Sequence, residues 1–278
     1  MPKARKRKAA VTQQPSANEP TTSSTPRSSR TLIRRFHVLL KQQSQLQHEL
    51  PTSSNSETLA AIATEIEELG GLSAYQQMSS IGQGSDRGGG SEKVFVGWLK
   101  ELGWDDVAHG KKHRLLEVGA LKPDNYAPYS AWLDVQPIDL RSRHPSIIEQ
   151  DFLLMDAEEH REKWDLISLS LVVNFVADAK DRGRMLRLAH TMLRAEGLLF
   201  LALPLPCVSN SRYTTPEHLT ALMAAIGFIQ LRERWKPGGK MAYWLYRKTV
   251  PEANQDADCF LKKNVLRQGN RNNFCILL

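Results

Sequence analysis

The sequence predicts a doubly wound α/β domain on a mainly parallel, seven-stranded sheet, preceded by a helical extension. Three observations carry this expectation. From residue 93 onward short apolar runs alternate with amphipathic helical segments, the pattern of strand–helix–strand crossovers. The glycine closing the first apolar run, Gly119, precedes Asp139 by 20 residues, the separation of the first two strand tips in such folds. Near the end, two apolar runs flank Pro237-Gly-Gly239, a plain hairpin signal.

Taken in order, residues 1–30 read as a disordered basic tail. Lys3-Ala-Arg-Lys-Arg-Lys8 opens it, and a Ser/Thr/Pro/Gln run with almost no apolar residue follows, too little to offset ordering entropy. Of the 37 Lys+Arg in the chain, nine fall within residues 1–35 against the single acid Glu19, giving +8; the remaining 28 basic and 29 acidic residues sum to −1. The excess charge is therefore a property of the tail. The cluster reads as a nuclear-import or RNA-phosphate arm, with a solubilising terminus as the alternative. Residues 31–92 form the expected extension. Leu32, Ile33, Phe36, Leu39, Leu40 and Leu46 recur at helical spacing, and a second helix runs from an N-cap at Ser56 to Gly70-Gly71,. The Gly/Ser-rich stretch 70–93 is expected to be a loop whose Tyr75, Gln76 and Gln83 are available to a ligand, with a plain loop as the alternative.

Within the 93–278 domain, Val94–Leu102 predicts a helix closed by Gly103. Strands are expected at His113–Gly119, Ala131–Val135 (reaching Ile138), Ser146–Phe152, from Trp164 toward Phe175, Leu198–Leu203, Phe228–Trp235 and Met241–Arg247. Pro137 lacks an N–H, so the second strand is expected to end or bulge there. Asp181–Arg194 and a Thr215-Pro216-capped segment before Gly227 supply helices,.

No run of about 18 apolar residues occurs, which excludes a membrane-spanning helix. The basic N-terminus has no apolar core of a secretory signal. Cys207, Cys259 and Cys275 are scattered, forming neither a disulfide framework nor a metal knuckle, and fit a reducing intracellular setting. No HExxH occurs, and His109 and His113 straddle a Gly-Lys-Lys turn; no metal is expected.

At the strand tips the residue types point to a nucleoside ligand. A glycine lets the backbone approach closely, and a carboxylate accepts from two vicinal ribose hydroxyls. Asp139 is the preferred ribose ligand and Asp134 its rival. The GxGxxG fingerprint and the GxxxxGK[ST] loop are both absent, and Pro123 and Pro128 leave no room for a long first helix. This counts against pyrophosphate ligands and favours adenosine without phosphates, as in S-adenosylmethionine. Asp151 is placed to accept from an adenine amino group while Phe152 covers the base, the alternative being a strand-end acid facing water. Ser170, Asn174 and Phe175 lie where a second planar base would enter, with Asn bonding its edge and Phe stacking on its face. A helix-capping Asn beside a core Phe is the competing reading.

The segments LLEVGAL (Leu115–Leu121), IDL (Ile138–Leu140), EQDF (Glu149–Phe152), DLISLSLVVNFV (Asp165–Val176) and RGRML (Arg182–Leu186) resemble the fungal 25S rRNA adenine-N(1)-methyltransferase family. GGLSAYQ (Gly70–Gln76) and RNNFCILL (Arg271–Leu278) extend the likeness across roughly residues 30–278. The resemblance implies a Rossmann-like class I methyltransferase fold, S-adenosylmethionine as cofactor, and N1 of an adenine in large-subunit rRNA or a pre-ribosomal particle as acceptor. It further implies a nuclear, nucleolar location. Gly119 and Asp139 are the positions onto which its cofactor contacts carry. With Glu117 beside Gly119 in LLEVGAL, the expected cofactor-binding set is Gly119, Asp139, Glu117, Asp151 and Phe152; Ser170 and Asn174 are the catalytic candidates. Lys262, Lys263, Arg267 and Arg271 are expected to hold phosphates. A monomer is expected, with no membrane partner. Three other readings stay open: a non-catalytic S-adenosylmethionine sensor acting through a protein partner, as for animal relatives of the family in TOR signalling; a methyltransferase of protein or small molecules; and a ribosome-biogenesis factor with a dead pocket.

Overall fold

The computed structural model describes residues 53–71, 73, 74, 90–107, 110–142, 144–250 and 257–278, with parts of a helix between 31 and 46. The tail 1–30, with Lys3–Lys8, and Tyr75, Gln76, Gln83 and His109 lie outside the described residues. In the extension, Phe36, Leu39 and Ile62 are buried, and Arg35 pairs with Glu65 on helix α1 (Ser53–Glu68). Helix α1 starts three residues before the expected cap at Ser56 and stops at Gly70, whose φ is +91°.

Seven strands, β1 (His113–Val118), β2 (Leu133–Asp139), β3 (Ile148–Glu149), β4 (Trp164–Ser170), β5 (Leu193–Pro204), β6 (Phe228–Arg234) and β7 (Met241–Lys248), form one sheet in the order β3-β2-β1-β4-β5-β7-β6. All pairings are parallel except those of β7 with β5 and β6. Strand alternation divides the core into two layers. Leu115, Leu133, Leu166, Leu198, Phe200 and Leu245 face helix α2 (Ser91–Glu101), which buries Phe95, Val96, Trp98 and Leu99 at helical spacing. Leu116, Ile138, Ile167, Leu199, Leu201 and Trp244 face the other layer. There α3 (Ala179–Met192) contributes Met185, Leu186, Ala189 and Met192, and α4 (Pro216–Ile226) contributes Leu219, Leu222, Met223 and Ile226. Helix α2 begins at Ser91, three residues before the expected start at Val94.

Local chemistry explains where elements start and stop. Asp178 accepts from the amides of Lys180 and Asp181, so α3 begins two residues earlier than its apolar pattern indicated,. Thr215 caps α4 through His218 N, Pro216 follows, and Gly227 (φ +107°) ends it, as the sequence predicts,. Strand β4 ends at Ser170 because Leu171 turns the chain at φ +60°. The expected third strand shrinks to two residues: Asp151 accepts from Leu153 N at 2.8 Å and starts a 3-10 turn, Phe152–Leu154. Pro137 neither ends nor bulges β2, which pairs with β1 in unbroken register through Ile138. Ile138 turns its carbonyl to β1, accepting from Gly119 N at 2.8 Å. By alternation the Pro137 nitrogen faces the opposite side, where β3 pairs only with Ile138 and Asp139,.

Candidate active site at the carboxyl edge of the sheet

Strands β1, β2, β4 and β5 all end on one edge, where open α/β sheets take their ligands. Because Val118 pairs with Ile138, Gly119 stands level with Asp139. The 20-residue spacing thus becomes direct adjacency. Gly119 has φ +77°, and a Cβ there would lie 2.7 Å from Val172 Cγ2. Both the backbone conformation and the close approach require glycine. Asp139 Oδ1 accepts from Arg141 N at 2.9 Å, which orients the carboxylate at the strand tip. Asp134 sits five residues earlier, about 16 Å back along the strand, paired with Arg114 in the opposite half of the sheet.

Glu117 is buried at 7% exposure beneath this edge. The side-chain amide of Asn125 donates to its Oε1 at 2.7 Å. Burial drives its carboxyl up, the Asn125 bond opposes this, and neighbouring Glu92 adds a smaller push, leaving it at about 7,. The ordinary value is 4.5, so between pH 4.5 and about 7 the folded chain holds a proton that the unfolded chain has lost. Stability is therefore full below that window and falls as pH rises through it, by about 3 kcal/mol in total. Thermal melts from pH 5 to 8 should show this fall in the wild type and a flatter profile in Glu117→Gln. Parallel profiles would exclude Glu117 as the source.

The remaining predicted residues divide. Ser170, at the tip of β4, gives its hydroxyl hydrogen to Ser91 Oγ at 2.8 Å, bracing the first turn of α2 against the sheet. Asn174 lies in the turn after β4, and its Oδ1 is buried with no hydrogen-bond partner among the described residues. Asp151 follows β3 but spends one oxygen on capping the 3-10 turn. Phe152 is 2% exposed, and its ring belongs to the core layer with Met155 and Ile138. Arg267 is held by the fold itself. Its guanidinium donates to the carbonyls of Ser211 and Ser209 at 3.0 Å, Thr214 at 2.7 Å, and Val208. Arg271 likewise bonds Gln268 O at 2.9 Å, whereas Lys262 and Lys263 are exposed.

Sequence reasoning missed Asn125, which supports Glu117 from a loop eight residues on, and the strap formed by residues 271–278. That strap crosses α3, where Arg182 reaches Val176 O at 2.8 Å, Ala177 O at 3.3 Å and Cys275 O at 2.6 Å. It thereby ties the strap to the turn that carries Asn174. A glycine inside an amphipathic helix, Gly183, was the available signal. Among the described residues no three His, Cys, Asp or Glu side chains gather as a metal site.

Comparison with known proteins adds an independent line. The family model described as 25S rRNA (adenine(2142)-N(1))-methyltransferase, Bmt2, matches residues 60–276. A Schizosaccharomyces pombe protein named 25S rRNA adenine-N(1) methyltransferase is 36% identical over 258 residues, covering 88% of this chain and 91% of that one. A Saccharomyces cerevisiae protein named 25S rRNA (adenine(2142)-N(1))-methyltransferase is 33% identical, covering 88% of this chain and 71% of its own. Among solved structures, the Burkholderia thailandensis 1,6-didemethyltoxoflavin-N1-methyltransferase, crystallised with S-adenosylhomocysteine, superposes with a TM-score of 0.50. It is 15% identical and covers 72% of this chain and 93% of that one. At that identity the likeness is one of fold.

Proposed function

This chain belongs to the 25S rRNA adenine-N(1)-methyltransferase family, and from that premise we propose that it methylates N1 of an adenine in large-subunit rRNA, using S-adenosylmethionine. The acceptor is rRNA or a pre-ribosomal particle, and the place of action is the nucleus, in the nucleolus. The observation that carries the site assignment is the adjacency of Gly119 and Asp139 at the carboxyl edge, with a glycine whose φ of +77° and close approach to Val172 exclude a side chain there.

When bound, the cofactor supplies an electrophilic methyl group on sulfonium. In this reading Asp139 accepts from the ribose hydroxyls, Gly119 admits the ligand to the backbone, and Glu117 presents a carboxylate to a cationic group. Asp151, through its second carboxylate oxygen, remains a candidate acceptor for the adenine amino group of the cofactor. Adenine N1 has an in-plane lone pair and loses no proton before attack, so the chain's task is positioning, worth roughly 7–11 kcal/mol. The buried, unpartnered Oδ1 of Asn174 suits the exocyclic amino group next to N1,. Ser170 acts by holding α2 against β4. Because N1 lies on the pairing edge, the target adenine must be unpaired or flipped.

The test is methyl transfer from labelled S-adenosylmethionine to deproteinised large-subunit rRNA, with nucleosides resolved by mass. We expect 1-methyladenosine from the wild type and about 100-fold less from Asp139→Ala, a loss of about 3 kcal/mol. Equal transfer by both proteins would remove Asp139 from the site. Cofactor binding without transfer to any rRNA or particle would favour the sensor reading.

A further inference from the structure

With the Arg267 guanidinium held by four backbone carbonyls, a different set of cations faces the site edge. Strand β7 runs antiparallel to β5, so Met241 pairs with Pro204 at the carboxyl end of β5. The turn before it, residues 235–240, therefore projects past the same edge on which Gly119, Asp139 and Ser170 lie. Two strand spacings, about 10 Å, separate β4 from β7,.

This hairpin is strongly basic. Residues 232–240 hold Arg232, Arg234, Lys236 and Lys240 against the single acid Glu233. Arg232 pairs with Glu101 at 3.5 Å. Arg234, Lys236 and Lys240 are exposed, and none joins an ion pair among the described residues. Trp235 stands between them at 41% exposure. Its indole N–H donates to the Glu233 carboxylate, so the polar edge of the ring is satisfied and the exposed remainder is aromatic carbon. The turn is well defined: Gly238 takes φ +71°, and a Cβ on Gly239 would lie 2.8 Å from Lys236 O. Arg234 is paired across the ladder with Tyr243, which also senses the charge of Glu92 at the start of α2. Hairpin and site thus share a border.

A planar aromatic face interleaved with unpaired cations matches single-stranded nucleic acid, whose bases stack and whose phosphates need counter-charge. We propose that the β6–β7 hairpin grips the rRNA strand beside the target adenine. Trp235 stacks on an unpaired base, and Arg234, Lys236 and Lys240 neutralise the phosphates of that strand. The proposal rests on the rRNA-methyltransferase reading for its partner and extends it to a surface outside the cofactor site.

The test uses the full chain, a fluorescein-labelled single-stranded RNA of about twelve nucleotides, and anisotropy across a KCl series. Trp235→Ala should weaken binding roughly 5- to 100-fold, while Trp235→Phe retains most of the affinity. Replacing Arg234, Lys236 and Lys240 together by Gln should flatten the slope of log affinity against log salt by about 2. S-adenosylhomocysteine affinity should stay unchanged in every variant, which reports an intact fold and cofactor site. Unaltered RNA affinity and salt slope would overturn the proposal. Methyl transfer to rRNA is measured alongside. Its absence in the wild type, with hairpin-dependent binding intact, would remove the activity and leave the hairpin. Transfer at wild-type KM in the variants would remove the hairpin and leave the activity.

Discussion

Replacing Gly183 by alanine is expected to destabilise the protein, although the same change in an exposed helix interior gains about 1 kcal/mol. The added Cβ would lie 1.8 Å from the carbonyl oxygen of Leu277 and 2.7 Å from its carbon. Both are backbone atoms, so no side-chain rotation relieves the clash. The strap is fixed on either side by Leu277 N to Ala179 O and Leu278 N to Phe260 O, each 2.9 Å, and by Ser211 Oγ to Phe274 O at 2.5 Å. Either α3 bends or the strap detaches. Overpacking of this kind costs about 1–3 kcal/mol, sometimes more, and each kcal/mol lowers Tm by roughly 2–4 °C in a chain of this size. Calorimetry gives the shift, and limited proteolysis should show new cleavage within residues 271–278. Since Arg182 links the strap to Val176 and Ala177, kcat should fall while S-adenosylhomocysteine affinity holds. A variant as stable as the wild type would show that the strap does not bear on α3.

Gly119→Ala should act in the opposite way, leaving the fold in place and removing the ligand. A non-glycine residue at φ +77° carries about 1–2 kcal/mol of strain,, and the new methyl, 2.7 Å from Val172 Cγ2, forces Val172 to shift at the strand tip. The strain lowers stability in the free and bound protein alike; the displacement of Val172, worth about 1–3 kcal/mol, is what weakens binding, by roughly 5- to 100-fold in Kd, measured by calorimetric titration with S-adenosylhomocysteine. Gly103→Ala is the matched control. Gly103 shares a positive φ, +73°, but a Cβ there meets nothing within 4 Å. It should lose stability through strain alone and keep its affinity. If both variants bind equally, the approach at Gly119 is unrelated to the cofactor.

Much of this was legible where the physics is local. The Gly119–Asp139 spacing, the Thr215-Pro216 cap and the Pro237-Gly-Gly turn each depend on a few neighbouring residues, and each stands where the sequence put it. What escaped depends on contacts distant in the chain. Phe152 follows a strand tip, where an aromatic residue is available to a base, and its burial in the core layer depends on partners as distant as Ile138 and Met185. Arg267 looked like a phosphate contact because its charge is visible in the sequence, whereas the four carbonyls that occupy it come from residues 208–214. Gly183 carried a signal in the RGRML segment, but only the strap explains why that helix tolerates a glycine.

Pro137 has a meaning for the molecule's relations with its own copies. The free side of β2 is a row of backbone groups beside a third strand of only two residues, and such a row is a template on which a foreign strand can add. A proline on that side removes one donor next to the place where β3 begins, and a strand approaching from outside would meet a ring instead of an N–H. A strand adding along that side of β2 would lose one ladder bond, which lowers the risk of two copies joining edge to edge.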